Sequence, residues 1–228
     1  FVIKINGQDL MSSRQHESEL ELARLGCAHL VGSKAPRVLI GGMGLGYTLR
    51  QTLDMLDPNA KVVVGELLSA VAEWSREFFG ELNGQPLEDE RVNLKTGDVV
   101  SLISRSSGKF DAILLDIDNG PSAMTNSANS RLYSYEGLMA CRYALRNQGC
   151  LAVWSAEPSK KFERLLVGGC GFHVRRFRVP TYKGSKSQSH FVWVASENKA
   201  NLPPGGGEPR LSRGGESKES RRHSREGH

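Results

Sequence analysis

Three glycines at alternate positions, Gly42, Gly44 and Gly46, follow the apolar run Val38-Leu39-Ile40 and precede an amphipathic stretch that begins at Thr48. Glycine lets a chain turn tightly and lets a ligand approach the backbone, and a helix opening from such a turn offers free N–H groups. An acid closes or follows each of the next three apolar runs: Glu66 after Val62–Val64, Asp98 in Thr96-Gly-Asp-Val, and Asp116 after Ile113–Leu115. An acid about 20 residues beyond a glycine turn, at the end of the second strand, accepts from both ribose hydroxyls. Asp98 is placed to accept from an adenine amino group. The turn lacks the Lys-Ser/Thr pair of a P-loop, so a nucleoside without phosphates fits better than a nucleotide. Asp116 reads as an acid or base at the reacting centre, or as a helix cap at a strand end. Asp118 and Asn119 continue the same loop, and Asp118 either binds substrate or caps its own turn. Tyr133 and Tyr135 either wall a substrate pocket or pack on the sheet edge. Glu157, after the run ending at Trp154, is a lesser substrate-site candidate.

These groups need a scaffold that brings successive strand ends together. Short apolar runs alternate with amphipathic stretches over residues 37–196. The spacing predicts strands at 37–40, 61–65, 92–94, 112–116 and 151–154, and helices at 48–56, 67–79, 98–104, 132–146 and 160–167. Continuous apolar strands separated by helices make a parallel sheet covered on both faces. The runs 172–179 and 190–195 close the pattern as an antiparallel pair. The fold class is therefore α/β: a doubly wound, mostly parallel, Rossmann-like sheet of about seven strands with an antiparallel C-terminal hairpin. Residues 1–36 supply a small β arm, with a turn at Asn6-Gly7, and a lead-in helix from Ser18, read as its cap, to about Leu30. Residues 197–228, rich in Gly, Pro, Ser and charge, are expected to form a disordered tail.

The chain has 228 residues, with 30 Lys+Arg against 25 Asp+Glu. A net charge of +5 is too small and too dispersed to argue for a nucleic-acid partner. The basic strand carrying Arg175, Arg176 and Arg178 is read as a solvated edge. No apolar run reaches the ~20 residues that span a bilayer, so no membrane partner is expected. Cys27, Cys141, Cys150 and Cys170 have no C-x-x-C spacing. The histidines His16, His29, His173 and His190 form no ligand pair, so no metal is expected and they read as surface or packing residues. With no leader pattern in the opening residues, a cytoplasmic location with free thiols is the expectation.

GGMGLG, VVVGE, TGDVV and FDAILLDIDNGP, in this order, resemble the motifs of class I AdoMet-dependent methyltransferase-fold enzymes, and more closely those of spermidine/spermine synthases. The resemblance covers about residues 1–196. It implies that Gly42, Gly44 and Gly46 line a sulfonium nucleoside, that Glu66 holds the ribose, and that Asp98 with its neighbour Val99 holds the adenine. Asp116 becomes the first acid of a D-x-x-D active loop and the base that takes a proton from an amine. At pH 7, deprotonating an amine of pKa ~10.4 costs roughly 4–5 kcal/mol. Four features depart from the synthase pattern: Leu45 stands where synthases carry an Asp, Asn119 stands at the second acid, the upstream Tyr-His-Glu segment has only approximate substitutes in Ser18-Glu19 and Glu21, and Gln8 is displaced from the place of the first-strand Gln. Tyr47, where the family often has a glycine or small residue, is expected to narrow the pocket. The leading implication is transfer of an aminopropyl group from decarboxylated S-adenosylmethionine to a small-molecule amine, as in polyamine biosynthesis. The alternatives are methyl transfer from S-adenosylmethionine to a small molecule or RNA, and a non-catalytic nucleotide-binding domain of the same fold. The resemblance also implies a homodimer.

Overall fold

A computed structural model describes residues 2–5, 8–117, 120–123, 128–185 and 189–209. The N-terminal arm pairs β1 (Val2–Ile5) with β2 (Gln8–Ser12) in an antiparallel ribbon. Helix α1 (Glu17–Gly26) follows. The main elements then run β3 (Arg37–Gly41), α2 (Tyr47–Met55), β4 (Lys61–Glu66), α3 (Ser69–Trp74), β5 (Val92–Thr96), α4 (Val99–Ser104) and β6 (Phe110–Leu115). They continue through α5 (Tyr135–Ala144), β7 (Leu145–Ser155), α6 (Lys160–Arg164), β8 (His173–Pro180) and β9 (Ser189–Ser196).

The seven-stranded sheet has the order β5-β4-β3-β6-β7-β9-β8. Strands β3 to β7 are parallel, and β9 enters antiparallel between β7 and β8. The chain moves outward from β3 through β4 to β5, then returns to β6 on the other side of β3. Such a reversal opens a crevice beyond the carboxyl ends of the two strands. The central strands are apolar throughout because both faces are covered: Val38, Ile40, Val62, Val64, Ala112 and Leu114 belong to one core, and Leu39, Ile113, Leu115, Leu151 and Val153 to the other.

Helix α1 belongs to the sheet's own core. Leu22, Ala23, Cys27 and Leu30 pack into the same cluster as β3 and β6. A Cβ at Gly26 would lie 2.2 Å from Leu114 Cδ2 and 2.8 Å from Ala152 Cβ, so this glycine lets the helix rest directly on the sheet. The expected helix to Leu30 breaks at Gly26 into a 3-10 turn, Ala28–Leu30. Ser18 is not its cap: His16 occupies that position without a capping side-chain hydrogen bond, and Ser18 is buried in the first turn. The predicted helix 67–79 is α3 followed by a π-helical turn, Ser75–Phe79. The helix expected at 132–146 starts later, where the Ser134 hydroxyl accepts from the Gly137 N–H, and ends before Leu145. Leu145 already pairs with Phe110, and a register irregularity carries the chain past Gly149 to the pair Ala112–Cys150.

The tail expectation changes at its start. Residues 197–209 lie on the domain: Lys199–Asn201 forms a 3-10 turn, Leu202 is buried, and Gly207 bridges to Arg176. Apolar burial at one leucine and backbone pairing hold a segment that composition alone assigns to disorder. Residues 210–228 lie outside the described residues. The described part of the basic strand is engaged internally. Arg176 pairs with buried Glu163 at 2.7 Å, Arg175 donates to the Gly205 carbonyl, and Arg178 donates to Ser189.

Candidate active site

The crevice holds a cavity of about 460 Å³, within the range of small-ligand sites. Its floor is the glycine turn. Gly42, Gly44 and Gly46 have φ of 88°, 51° and 84°, a region that side-chain-bearing residues rarely enter. A Cβ at Gly42 would lie 2.1 Å from the Asp116 carbonyl oxygen, so glycine there lets the two strand ends meet. The N–H of Gly42 donates to Gly65 O and that of Asp116 to Gly41 O, which ties the ends of β3, β4 and β6 together. Asn83 donates to the Leu45 carbonyl at 2.5 Å and braces the turn from outside.

Glu66 reaches the cavity from the end of β4 and is 8% exposed. Its Oε2 accepts from the Met43 N–H at 3.0 Å and its Oε1 from the Leu68 N–H at 2.8 Å. Each carboxylate oxygen has a second acceptor position, so two ligand hydroxyls can still be received. Asp98 lines the cavity but is also the cap of α4. It accepts from the Val100 and Ser101 N–H groups and from the Ser101 hydroxyl. Burial pushes its carboxyl up, but the Ser101 and backbone hydrogen bonds win and hold it below the ordinary value. Val99 lines the same wall beside Gly41 and Gly65. Gly97 has φ of 138° and open space where a Cβ would stand.

Asp116 stands at the end of β6 and faces the first turns of α1 and α2. Its Oδ2 accepts from the Thr48 hydroxyl at 2.6 Å, and that hydroxyl lies 3.3 Å from the Glu19 carbonyl. Burial raises the Asp116 carboxyl to about 6, against the Thr48 hydrogen bond. Glu19, from α1, is a group that the sequence offered only within Ser18-Glu19, an approximate substitute for the Tyr-His-Glu segment of the synthases. Burial and then the Asp116 charge push it up to about 8. The Ser18 hydroxyl lies 3.3 Å from Glu19 Oε2, and His190 Nδ1 lies 3.0 Å from Ser18 Oγ. The signal was present in the helical pattern. Ser18, Leu22 and Gly26 repeat every four residues on the buried face, and Glu19 and Ala23 lie beside them on that stripe, whereas Glu17 and Glu21 pair with exposed Arg24.

The structure separates the other expected residues. Tyr47 lines the cavity, stacked on His16 with ring centres 4.2 Å apart. Trp154 and His190 line it from β7 and β9, so His190 has a place at the site that its isolation in sequence hid. Tyr133 is buried in the core against Phe162, with its hydroxyl on the Ile117 carbonyl, and is not a wall residue. Tyr135, at the start of α5, and Glu157, next to the lining residue Ala156, are exposed and do not line the cavity. Tyr133 and Tyr135 correct the expectation of a tyrosine-walled pocket: one ring packs against Phe162 and the other meets solvent. Asp118 and Asn119 lie outside the described residues.

Among the described residues, four carboxylates line this cavity (Glu19, Glu66, Asp98 and Asp116) and no Lys or Arg does. Such a wall favours a cation and repels phosphates and carboxylates.

The family model of the spermine/spermidine synthase domain matches residues 25–165. The polyamine aminopropyltransferase of Saccharolobus solfataricus is 31% identical over 132 residues, which are 58% of this chain and 42% of that protein. The chain thus spans less than half the length of that curated relative. The spermidine synthase structure from Thermotoga maritima superposes with a TM-score of 0.66 at 19% identity, over 89% of this chain and 68% of the other. A spermidine synthase in complex with the transition-state analogue AdoDATO superposes with a TM-score of 0.67 at 20% identity, again over 89% and 68%. With a parallel sheet, a glycine turn and strand-end acids in the order that the motifs required, the chain belongs to the spermine/spermidine synthase domain family.

Proposed function

We propose that this protein is an aminopropyltransferase that moves the aminopropyl group of decarboxylated S-adenosylmethionine to a primary amine. The observation that carries this reading is the wall of four carboxylates with no Lys or Arg among the described lining residues. Both substrates of such a reaction are cations. S-adenosylmethionine differs from the decarboxylated donor by one carboxylate, which this wall repels. The names of the curated relatives, polyamine aminopropyltransferases, support the same chemistry.

In this reading the glycine turn and Glu66 hold the nucleoside, with Glu66 receiving the ribose hydroxyls on its two remaining acceptor positions. Val99, Gly97 and the capping end of α4 at Asp98 border the adenine. Asp116 takes a proton from the acceptor ammonium, and Thr48 fixes the direction of its carboxylate. The freed nitrogen lone pair forms a bond to the methylene beside the sulfonium. The carbon–sulfur bond breaks and its electron pair returns to sulfur, leaving methylthioadenosine and a secondary ammonium. The proton on Asp116 then passes to solvent. Much of the rate comes from holding the two reactants in line, with the base within reach.

Calorimetric titration with decarboxylated S-adenosylmethionine, S-adenosylmethionine and methylthioadenosine tests the reading. Preference for the decarboxylated form is expected. Preference for S-adenosylmethionine transfers the assignment to methyl transfer, and binding of none of the three removes the enzyme reading.

A further inference from the structure

We propose that Glu19, on the lead-in helix, is the counter-charge for a primary ammonium inside the cavity and thereby sets its preference for amine-bearing ligands. The inference rests on the aminopropyltransferase reading and deepens it. Its starting point is the glycine turn, which offers no charge for an amine: Leu45 is buried and packs with Phe79.

Each of the other acids on the wall is engaged by a neighbour. Glu66 is held by two backbone N–H groups, Asp98 by the end of α4, and Asp116 by Thr48. Glu19 has the Ser18 hydroxyl, 3.3 Å away, so it and Asp116 each meet a neutral hydroxyl and no Lys or Arg among the described lining residues. Glu19 is half-buried beside the buried stripe of α1, where an ionised side chain without a cation is costly. Two carboxylates facing one cavity without a cation repel each other, and burial strengthens the repulsion. An ammonium between them offsets both costs. The neighbouring walls suit it, since the aromatic side chains of Tyr47 and Trp154 line the same space.

Two ammonium groups meet this description: the end of the donor's aminopropyl arm and the end of the acceptor amine. Glu19 adjoins Asp116, so either comes within reach of it. Full-length Glu19→Gln keeps the shape of the side chain and removes its charge. Methylthioadenosine carries no ammonium, and its affinity should stay within about twofold of the wild type. Binding of decarboxylated S-adenosylmethionine should weaken by about tenfold or more if Glu19 serves the donor arm. Binding of a linear diamine to the methylthioadenosine-saturated protein should weaken by that factor if it serves the acceptor. Glu19→Asp keeps the charge and should recover part of the loss, which a role in packing alone would not produce. If the wild type distinguishes these ligands and Glu19→Gln binds all of them equally well, the inference is overturned and the transferase reading survives. If the wild type binds neither nucleoside, the transferase reading falls and takes the inference with it. Should Glu19→Gln fail to fold, Glu19→Ala takes its place, with wild-type affinity for both amines overturning the inference.

Discussion

At the scale of single residues, the site turns on how burial changes carboxylates. Asp116 must be ionised to receive a proton, and burial raises it to about 6. Turnover should therefore fall as pH drops through about 6, seen in a pH profile of kcat/KM. Asp116→Asn should reduce kcat by about a hundredfold or more while leaving methylthioadenosine affinity within about twofold. Undiminished turnover would remove the base assignment. Glu66→Ala should weaken nucleoside binding more than about tenfold in calorimetry, because two hydrogen bonds to a charged acceptor are lost. The same carboxylates leave a mark on stability. Glu19 and Asp116 both have folded pKa values raised above their unfolded ones, so across the window from about 4 to about 8 the folded state binds more protons. The stability of the ligand-free protein should fall as pH rises through that window. Thermal melts between pH 5 and pH 8 should show this decline, and Glu19→Gln should flatten it.

At the scale of elements, the glycine turn and α1 do the positioning. Gly42 has φ of 88° and lies against the backbone of Asp116, so a side chain meets both strain and a carbonyl oxygen. Gly42→Ala should cost about 2–3 kcal/mol or more in denaturant unfolding, and it should weaken the nucleoside as well. The turn was legible in sequence because glycine at alternating positions after an apolar strand has few other uses. Asp98 was legible as a residue of the site, but its capping of α4 needed the helix to be seen. Glu19 was written into the stripe of α1, yet nothing local says which part of the sheet that stripe faces. Tyr133 and Tyr135 went the other way. Their sequence neighbourhood suited a pocket wall, but the Ser134 cap rotates the start of α5 so that one ring enters the core and the other meets solvent.

At the scale of the whole molecule, one sheet joins segments far apart in the chain. Residues 197–209 close over it through Leu202, the Gly207 bridge and an ion pair between Glu197 and Arg142. A chain ending at 209 should melt roughly 3–8 °C above one ending at 196, the effect of burying one leucine and several backbone groups. Equal melting temperatures would show that this docking adds nothing. The four described cysteines are free and buried, and none of the described helices is long and apolar enough to cross a membrane. The amino-acid sequence by itself determined the strand–helix alternation, the glycine turn and the acids at Glu66, Asp98 and Asp116, because periodicity and turn chemistry are local properties. Only the tertiary structure decided that Glu19 and His190 join that site, that Tyr133 does not, and that the first part of the tail is docked. Those outcomes depend on which distant faces the sheet brings together, and no local preference carries that information.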